Sequence, residues 1–341
     1  MSRSILSRTI GELSASHPAM ADFFIGVSGQ TPKPDGSVLS WLAGVGEDRL
    51  SQWGMDRDQA LAHIEALAGQ IDALRSSAPP EVRALTILGG INKQGQPEDL
   101  RLTLRPGELV SVVGPTGSGK SRLLGDIECL AQGDTPSGRR ILVNDAPPAP
   151  GLRFSTHQKL VAQLSQTMNF VMDLSVGDFI AMHAECRMSG DVGSLVSQVI
   201  AQANKLAGEP FGRDAALTQL SGGQTRALMI ADTALLSASP IVLIDEIENA
   251  GIDRKKSLEL LLAREKIVLM STHDPILALL GDRRLVIRSG AVVDIIETSE
   301  AERANLTALE QLDQTLMAVR HQLRSGLRID SPVEEMLPWM R

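Results

Sequence analysis

Tyrosine is absent from this chain of 341 residues, and only six phenylalanines and three tryptophans stand in for it. With so few aromatics the core has to be built from Leu, Ile, Val, Ala and Met. Cysteine is scarce too: Cys129 and Cys186 are the only two. They form no C-x-x-C pair and are too few for a disulfide framework, which points to a reducing compartment. Nor is there an excess of positive charge. Lys and Arg number 33 against 41 Asp and Glu, for a net charge of −8. The basic footprint of a nucleic-acid-binding surface is therefore not expected. No apolar run approaches the roughly 20 residues that cross a bilayer. The opening Met1-Ser2-Arg3-Ser4-Ile5-Leu6 is soon broken by Arg8, Gly11 and Glu12, unlike the apolar stretch and small-residue cleavage site of a signal peptide. The expectation is a cytoplasmic protein that meets a membrane only peripherally, at its inner face, through a partner.

What is present is ordinary for a globular protein: 43% hydrophobic and 22% charged residues, in a chain long enough for two domains. The pattern divides it into a small helical domain over 1–78, an α/β domain over 79–297 and a helical tail over 298–341. In the first, Thr9-Ile10-Gly11-Glu12-Leu13 opens a helix that stops near His17-Pro18. An apolar piece follows at Phe23-Phe24-Ile25, and Gln30 to Gly36 reads as a loop. Apolar residues at 61, 64, 67, 71 and 74 predict a helix over Asp58–Leu74, and Ser76-Ser77-Ala78-Pro79-Pro80 a linker. In the second domain, Val110–Val113, Ile241–Ile244 and Ile267–Met270 read as buried strands, and Ser121–Ala131 as a helix. Leu285–Ile287 and Ala291–Val293 form a hairpin around Ser289-Gly290. Such alternation argues for an α/β core with a largely parallel sheet. The tail opens on Ser299-Glu300-Ala301-Glu302, a capping-box pattern. Leu309, Leu312, Leu316, Val319 and Leu323 follow at 3-4-3-4 spacing. That stripe either pairs as a short coiled coil or packs on the α/β domain; with barely two heptads, packing is the expectation.

Between the strand Val110–Val113 and its helix stands Gly114-Pro115-Thr116-Gly117-Ser118-Gly119-Lys120-Ser121, a complete G-x-x-x-x-G-K-[ST] phosphate loop. Its glycines let backbone N–H groups curl around phosphates while the following helix adds its positive end. Lys120 can reach the β- and γ-phosphates, and the Ser121 hydroxyl can ligate Mg²⁺. The run Ile241-Val242-Leu243-Ile244 ends in Asp245-Glu246. Alone, such a strand end is commonly a solvated edge. With the phosphate loop upstream, Asp245 is placed to hold Mg²⁺ through water, and Glu246 to act as general base or water-positioner.

Between these two motifs lies Leu220-Ser221-Gly222-Gly223-Gln224. The three pieces in this order resemble the ATP-binding cassette (ABC) ATPases. The resemblance covers residues 85–296 and implies a P-loop ABC ATPase domain: a mixed sheet core plus a helical subdomain, here with a small all-α N-terminal domain and a C-terminal helix. It implies Mg-ATP hydrolysis in a head-to-tail dimer, homodimeric or with a related ABC subunit. Ser221, Gly222, Gly223 and Gln224 of one subunit would complete the ATP site of the other. By the same resemblance Gln166 is the Q-loop residue that senses Mg²⁺ and the γ-phosphate, with Gln163 as the alternative. His273 in Ser271-Thr272-His273-Asp274 is the switch histidine, and Asp253 in Ala250-Gly251-Ile252-Asp253 belongs to the D-loop at the dimer interface. With Gln166 between Lys120 and Ser221, the arrangement is the compact transporter type. The partner it implies is a membrane permease subunit; the other reading is a soluble client, such as a metalloenzyme that the ATPase remodels.

The chain departs from the family in four places. The aromatic that usually stacks on adenine is missing, since no Phe, Trp or Tyr lies between Trp53 and Phe154. Stacking contributes about 1 kcal/mol beyond buried area, so weaker ATP affinity or base selectivity is expected, with an aliphatic contact near Ile91 as the substitute. Ile247-Glu248-Asn249 replaces the usual Pro-Thr-Ser, and Asp253 comes one residue later than usual. The segment from Asp253 to His273 is short. Thr225-Arg226 and Ala231-Asp232 replace the usual residues after the signature. The N-terminal region also resembles small helical domains attached to iron–sulfur repair and other redox proteins. It carries no cysteine, so it is expected to dock a partner or stabilise the chain, not to hold a cluster.

Overall fold

Helical spacing of apolar residues carries the N-terminal part of the chain into α1 (Ile10–Ser16), α2 (Pro18–Ser28), α3 (Val38–Gly44), α4 (Glu47–Gln52) and α5 (Arg57–Ser76). The structure, a computed structural model, describes residues 8–16, 18–76, 81–153, 159–165, 170–187, 191–246 and 252–330. It divides into two units, residues 1–79 with 178–196, and residues 80–177 with 197–341.

In the first unit Thr9 and Glu12 cap α1 reciprocally, Thr9 N–H to Glu12 Oε2 at 3.0 Å and Glu12 N–H to Thr9 Oγ1 at 3.1 Å. Ile10, Leu13, Met20, Phe24, Val38, Leu50 and Ile64 close a core of their own. Phe23, Phe24 and Trp41 gather there, with Phe24 and Trp41 edge to face at 4.9 Å, while Trp53 sets its ring against Phe23 from an exposed position. The scarce aromatics are thus concentrated where a small unit most needs buried area. Helix α5 buries Ala60, Ile64, Ala68 and Ile71, and only partly covers Leu61 and Leu67. The two short helices α3 and α4 add to the elements that the sequence pattern predicts. Ser37, which accepts from Ser40 N–H at 3.1 Å, starts α3. Ser77–Pro80 of the expected linker lies outside the described residues.

Downstream come β1 (Leu85–Leu88), β2 (Arg101–Leu104), β3 (Leu109–Val113), α6 (Lys120–Glu128), β4 (Arg140–Val143), α7 (Pro150–Arg153) and β5 (Val161–Leu164). Then follow α8 (Val176–Cys186), α9 (Val192–Leu206), α10 (Gly222–Leu235), β6 (Ile241–Asp245), α11 (Arg254–Leu262), β7 (Ile267–Ser271) and α12 (Pro275–Leu280). The chain continues through β8 (Arg283–Arg288), β9 (Ala291–Glu297), α13 (Glu300–Ala304) and α14 (Leu306–Arg324). A six-stranded sheet has the order β5-β6-β7-β3-β8-β9 and a three-stranded one the order β2-β1-β4. The larger is parallel except at β9, the smaller antiparallel.

The central strands are apolar without alternation because both sheet faces are covered. Val110, Val112, Leu243 and Leu269 point to the side of α6 and the small sheet. Leu109, Val242, Ile244, Val268 and Met270 point to the side of α10, α11 and α12. The β8–β9 hairpin turns at Ser289 (φ +51°) and Gly290 (φ +89°), the two positive values a tight two-residue turn of this twist demands.

Two expectations change. Helix α6 stops at Glu128, three residues early, because Leu130 turns left-handed (φ +49°) and Ala131 N–H bonds back to Asp126 O. At the C-terminus the capping box forms as read, but the helix it starts ends at Ala304 and α14 begins anew. Along α14, Leu309 and Val319 are half-buried while Leu312, Leu316 and Leu323 are 40–58% exposed. Arg254 pairs with Asp313 and Lys255 with Glu310 along the same helix. Among the described residues no helix is long and apolar enough to cross a membrane.

Candidate functional site

Strand β3 delivers its chain into the loop Gly114–Ser121 at the C-terminal edge of the large sheet, and α6 leaves it. Only glycine fits at two of its corners. A Cβ on Gly114 (φ +150°) would lie 2.5 Å from Ile287 O, and one on Gly119 (φ +114°) 2.9 Å from Gly290 Cα. The hairpin turn therefore presses directly on the loop, and Gly290 N–H donates to Ser118 O at 2.6 Å. From the other side Lys93 Nζ donates to Gly117 O at 2.6 Å, and Lys93 N–H to Ser289 O at 2.8 Å. Pro115, Thr116 and Gly117 are exposed at the rim. Ser118 Oγ is buried and makes no hydrogen bond among the described residues. The buried Lys120 folds back, its ammonium donating to Gly114 O at 3.0 Å and Pro115 O at 3.4 Å.

Strand β7, which pairs with β3, and β6 on its far side bring the remaining groups to this edge. Ser121 Oγ donates to Asp245 Oδ2 across 3.5 Å. His273, just past β7, sets its Nε2 3.1 Å from Lys120 Nζ and 3.5 Å from Glu246 Oε1. The ring nitrogen thus lies between the Lys120 ammonium and the Glu246 carboxylate. Glu246 itself sits in the left-handed region (φ +50°), rare for a residue with a Cβ. Its backbone is gripped on both sides: its N–H donates to Ser271 O at 3.1 Å, and its carbonyl accepts from Arg226 Nη1 at 3.2 Å. Lys120, Ser121, Asp245, Glu246 and His273 thus come together at one sheet edge.

The signature lies apart from that cluster. Ser221 caps α10, its Oγ accepting from Gln224 N–H at 3.3 Å while Gln224 Oε1 accepts from Ser221 N–H at 2.9 Å. Among the described residues no hydrogen bond joins Ser221, Gly222, Gly223 or Gln224 to the phosphate loop, and Ser221 and Gly222 are exposed. Asp253 caps α11 and pairs with Lys256 Nζ at 2.8 Å. Burial raises the Asp253 carboxyl, but the Lys256 ammonium and the capping N–H groups outweigh it and hold the carboxyl below its ordinary value. Gln166, Ile247-Glu248-Asn249 and the Ala250-Gly251 half of the D-loop lie outside the described residues. Ile91 is 43% exposed on the strap that carries Lys93.

Sequence reasoning passed over three side chains that shape this site: Lys93, Arg226 and Arg139. Arg226 carried a signal, as a departure just after the signature; the other two carried none, because their partners are remote in sequence. Arg139 lies fully buried beneath the loop. It bonds Glu98 through Nε at 2.8 Å and Nη2 at 2.9 Å, Asp126 through Nη1 at 3.0 Å, and Gly290 O through Nη2 at 2.6 Å.

The family model described as ABC transporter matches residues 97–249. An uncharacterized ABC transporter ATP-binding protein of Methanocaldococcus jannaschii is 52% identical over 250 residues, covering 73% of this chain and 95% of that protein. ABC transporter G family member 4 of Arabidopsis thaliana is 29% identical across 57% of this chain, and the macrolide export ATP-binding/permease protein MacB of Bradyrhizobium diazoefficiens 32% across 60%. The chain spans only about a third of the length of these last two, 34% and 31%. A solved ATP-binding cassette dimer in a post-hydrolysis state, bound to ADP and Pi, is 23% identical with a TM-score of 0.49, covering 63% of this chain and 99% of that one. The phosphate loop, the strand ending in Asp245-Glu246 and the near full-length match to the archaeal protein lead to one statement: this chain belongs to the ABC transporter ATP-binding proteins and is an ATP hydrolase of that type.

Proposed function

We propose that the chain binds Mg-ATP and hydrolyses it in a head-to-tail dimer, as the ATP-binding subunit of an ABC transporter. The carrying observation is the split just described: Lys120, Ser121, Asp245, Glu246 and His273 meet at one edge, while Ser221 and Gly222 are exposed and, among the described residues, the signature end of α10 bonds to its own surroundings. A second copy would bring its Ser221–Gln224 over the first copy's phosphate loop, with the N–H groups of a 14-residue helix aimed at phosphate.

In this reading the backbone of Gly114–Ser121 wraps the phosphates. Lys120 exchanges its two carbonyl acceptors for β- and γ-phosphate oxygens, and the unpartnered Ser118 hydroxyl gains an acceptor. Ser121 and Asp245 are an all-oxygen pair 3.5 Å apart, a donor set suited to Mg²⁺. Among the described residues no group of three or more acidic, His or Cys side chains could hold a metal, so the ion would share its shell with phosphate oxygens. Mg²⁺ held there supplies charge stabilisation to those oxygens. Glu246 orients the attacking water and takes its proton, His273 contacts the γ-phosphate, and Gln166 senses the bound nucleotide. Asp253 runs along the dimer interface. Adenine rests on Ile91 without an aromatic partner.

The transport role implies a permease subunit at the inner face of a membrane. The alternative is a soluble client, and the separate core of the N-terminal unit favours it, because such a unit can dock a protein. Purifying Glu246→Gln from a detergent extract with ATP present separates the two. A polytopic membrane protein bound in stoichiometric amount is the expected result. A soluble oxidoreductase in its place would overturn the transport reading and leave the ATPase reading intact.

A further inference from the structure

Arg226 occupies the second turn of α10, the helix whose first residues are the signature. Its guanidinium donates from Nη1 to the Glu246 carbonyl at 3.2 Å. The side chain is half-buried and runs beside Leu164, Ser165, Ile244 and Asp245. Glu246 is held left-handed (φ +50°), a conformation that persists only where the surroundings over-determine it. Ser271 O fixes its N–H and Arg226 its C=O. The direction in which its carboxylate projects therefore depends on where α10 stands.

We propose that Arg226 is a positioning residue that aligns the Glu246 carboxylate for water attack and ties that alignment to engagement of the signature end of α10. This rests on the reading of Glu246 as base. α10 is one continuous helix from Gly222 to Leu235, so its N-terminus and Arg226 move as one body. A nucleotide landing on Ser221 and Gly222 shifts the helix, and the shift reaches the Glu246 carbonyl through the Arg226 hydrogen bond. The energy of closing on ATP is thereby directed into orienting the base, without Arg226 touching the nucleotide.

The test is steady-state ATP hydrolysis by the full chain with Arg226→Met, which keeps the aliphatic bulk and removes the donor, and Arg226→Lys, which retains one. Arg226→Met is expected to lower kcat about 10- to 100-fold while KM for ATP stays within about twofold. Arg226→Lys should recover part of kcat. In the Glu246→Gln background, adding Arg226→Met should leave ATP-dependent dimerisation at the level of Glu246→Gln alone. Parental kcat in Arg226→Met overturns the proposal. So does a joint loss of kcat and dimerisation that Lys does not rescue, because that is a purely structural role. Failure of the underlying reading looks different: Glu246→Gln itself would then turn over at the parental rate.

Discussion

Glu246→Gln is expected to lower kcat by about two to four orders of magnitude, the range a lost general base produces, while ATP binding persists. Gln is nearly isosteric and still accepts a hydrogen bond from water, but it cannot take the proton. Nothing in the substitution touches the phosphate loop, Lys120 or the Ser121–Asp245 pair. The backbone grip from Ser271 and Arg226 is indifferent to the side chain. The variant should therefore close on ATP and stay closed, doubling in mass by light scattering with Mg-ATP and not with Mg-ADP. Parental turnover would show that another group activates water. His273 would then be the first to examine, since its Nε2 lies between Lys120 and Glu246.

Arg139→Met should lower stability by about 3–5 kcal/mol, the usual cost of breaking a buried ion pair from one side. The substitution leaves two carboxylates in the core. Among the described residues Glu98 would keep the Gly90 and Val292 N–H groups, and Asp126 the Ser137 hydroxyl. For the guanidinium, desolvation works against the charge, but Glu98 and Asp126 outweigh it and raise Arg139 above its ordinary value. A cation held that way contributes stability at every pH below its unfolded value and loses it only as pH rises through the folded one. The deficit should therefore persist across the neutral range. The functional effect runs through Gly290, whose carbonyl Arg139 holds and whose N–H supports Ser118 O. Nucleotide affinity should fall with the melting temperature. Replacing Glu98, Asp126 and Arg139 together by apolar residues of similar volume should recover much of the lost stability. A single Arg139→Met with parental melting temperature would contradict this account of the network.

Sequence legibility followed the range of the interactions. Motifs whose chemistry is local could be read directly: the phosphate loop, the strand ending in Asp245, the Ser299–Glu302 box and the Ser289-Gly290 turn each depend on neighbours within a few residues. The end of α6 was misread because no glycine marks it; Leu130 adopts the left-handed turn instead. Helices α3 and α4 are too short to show a period. The leucine stripe of α14 is regular in sequence, yet Leu312, Leu316 and Leu323 stay exposed, and the helix pairs with Arg254 and Lys255, which are remote in the chain. The Arg139 network joins residues 41 and 151 positions apart, and an arginine beside Arg140 in a loop gives no hint of it. Arg226 attracted notice only as a departure from the family pattern. Its contact with Glu246 becomes visible once α10 and β6 are placed in three dimensions.

The central claim is that each ATP site is shared between two chains, and mixing two inactive variants tests it most directly. Lys120→Ala disables the phosphate loop and Ser221→Arg blocks the signature, so each alone should hydrolyse no ATP. Combined in equal amounts, half of the dimers are mixed, and each of those carries one intact loop facing one intact signature. About a quarter of the parental rate should return. A mixture no more active than its components would place loop and signature in the same chain's site and contradict the account.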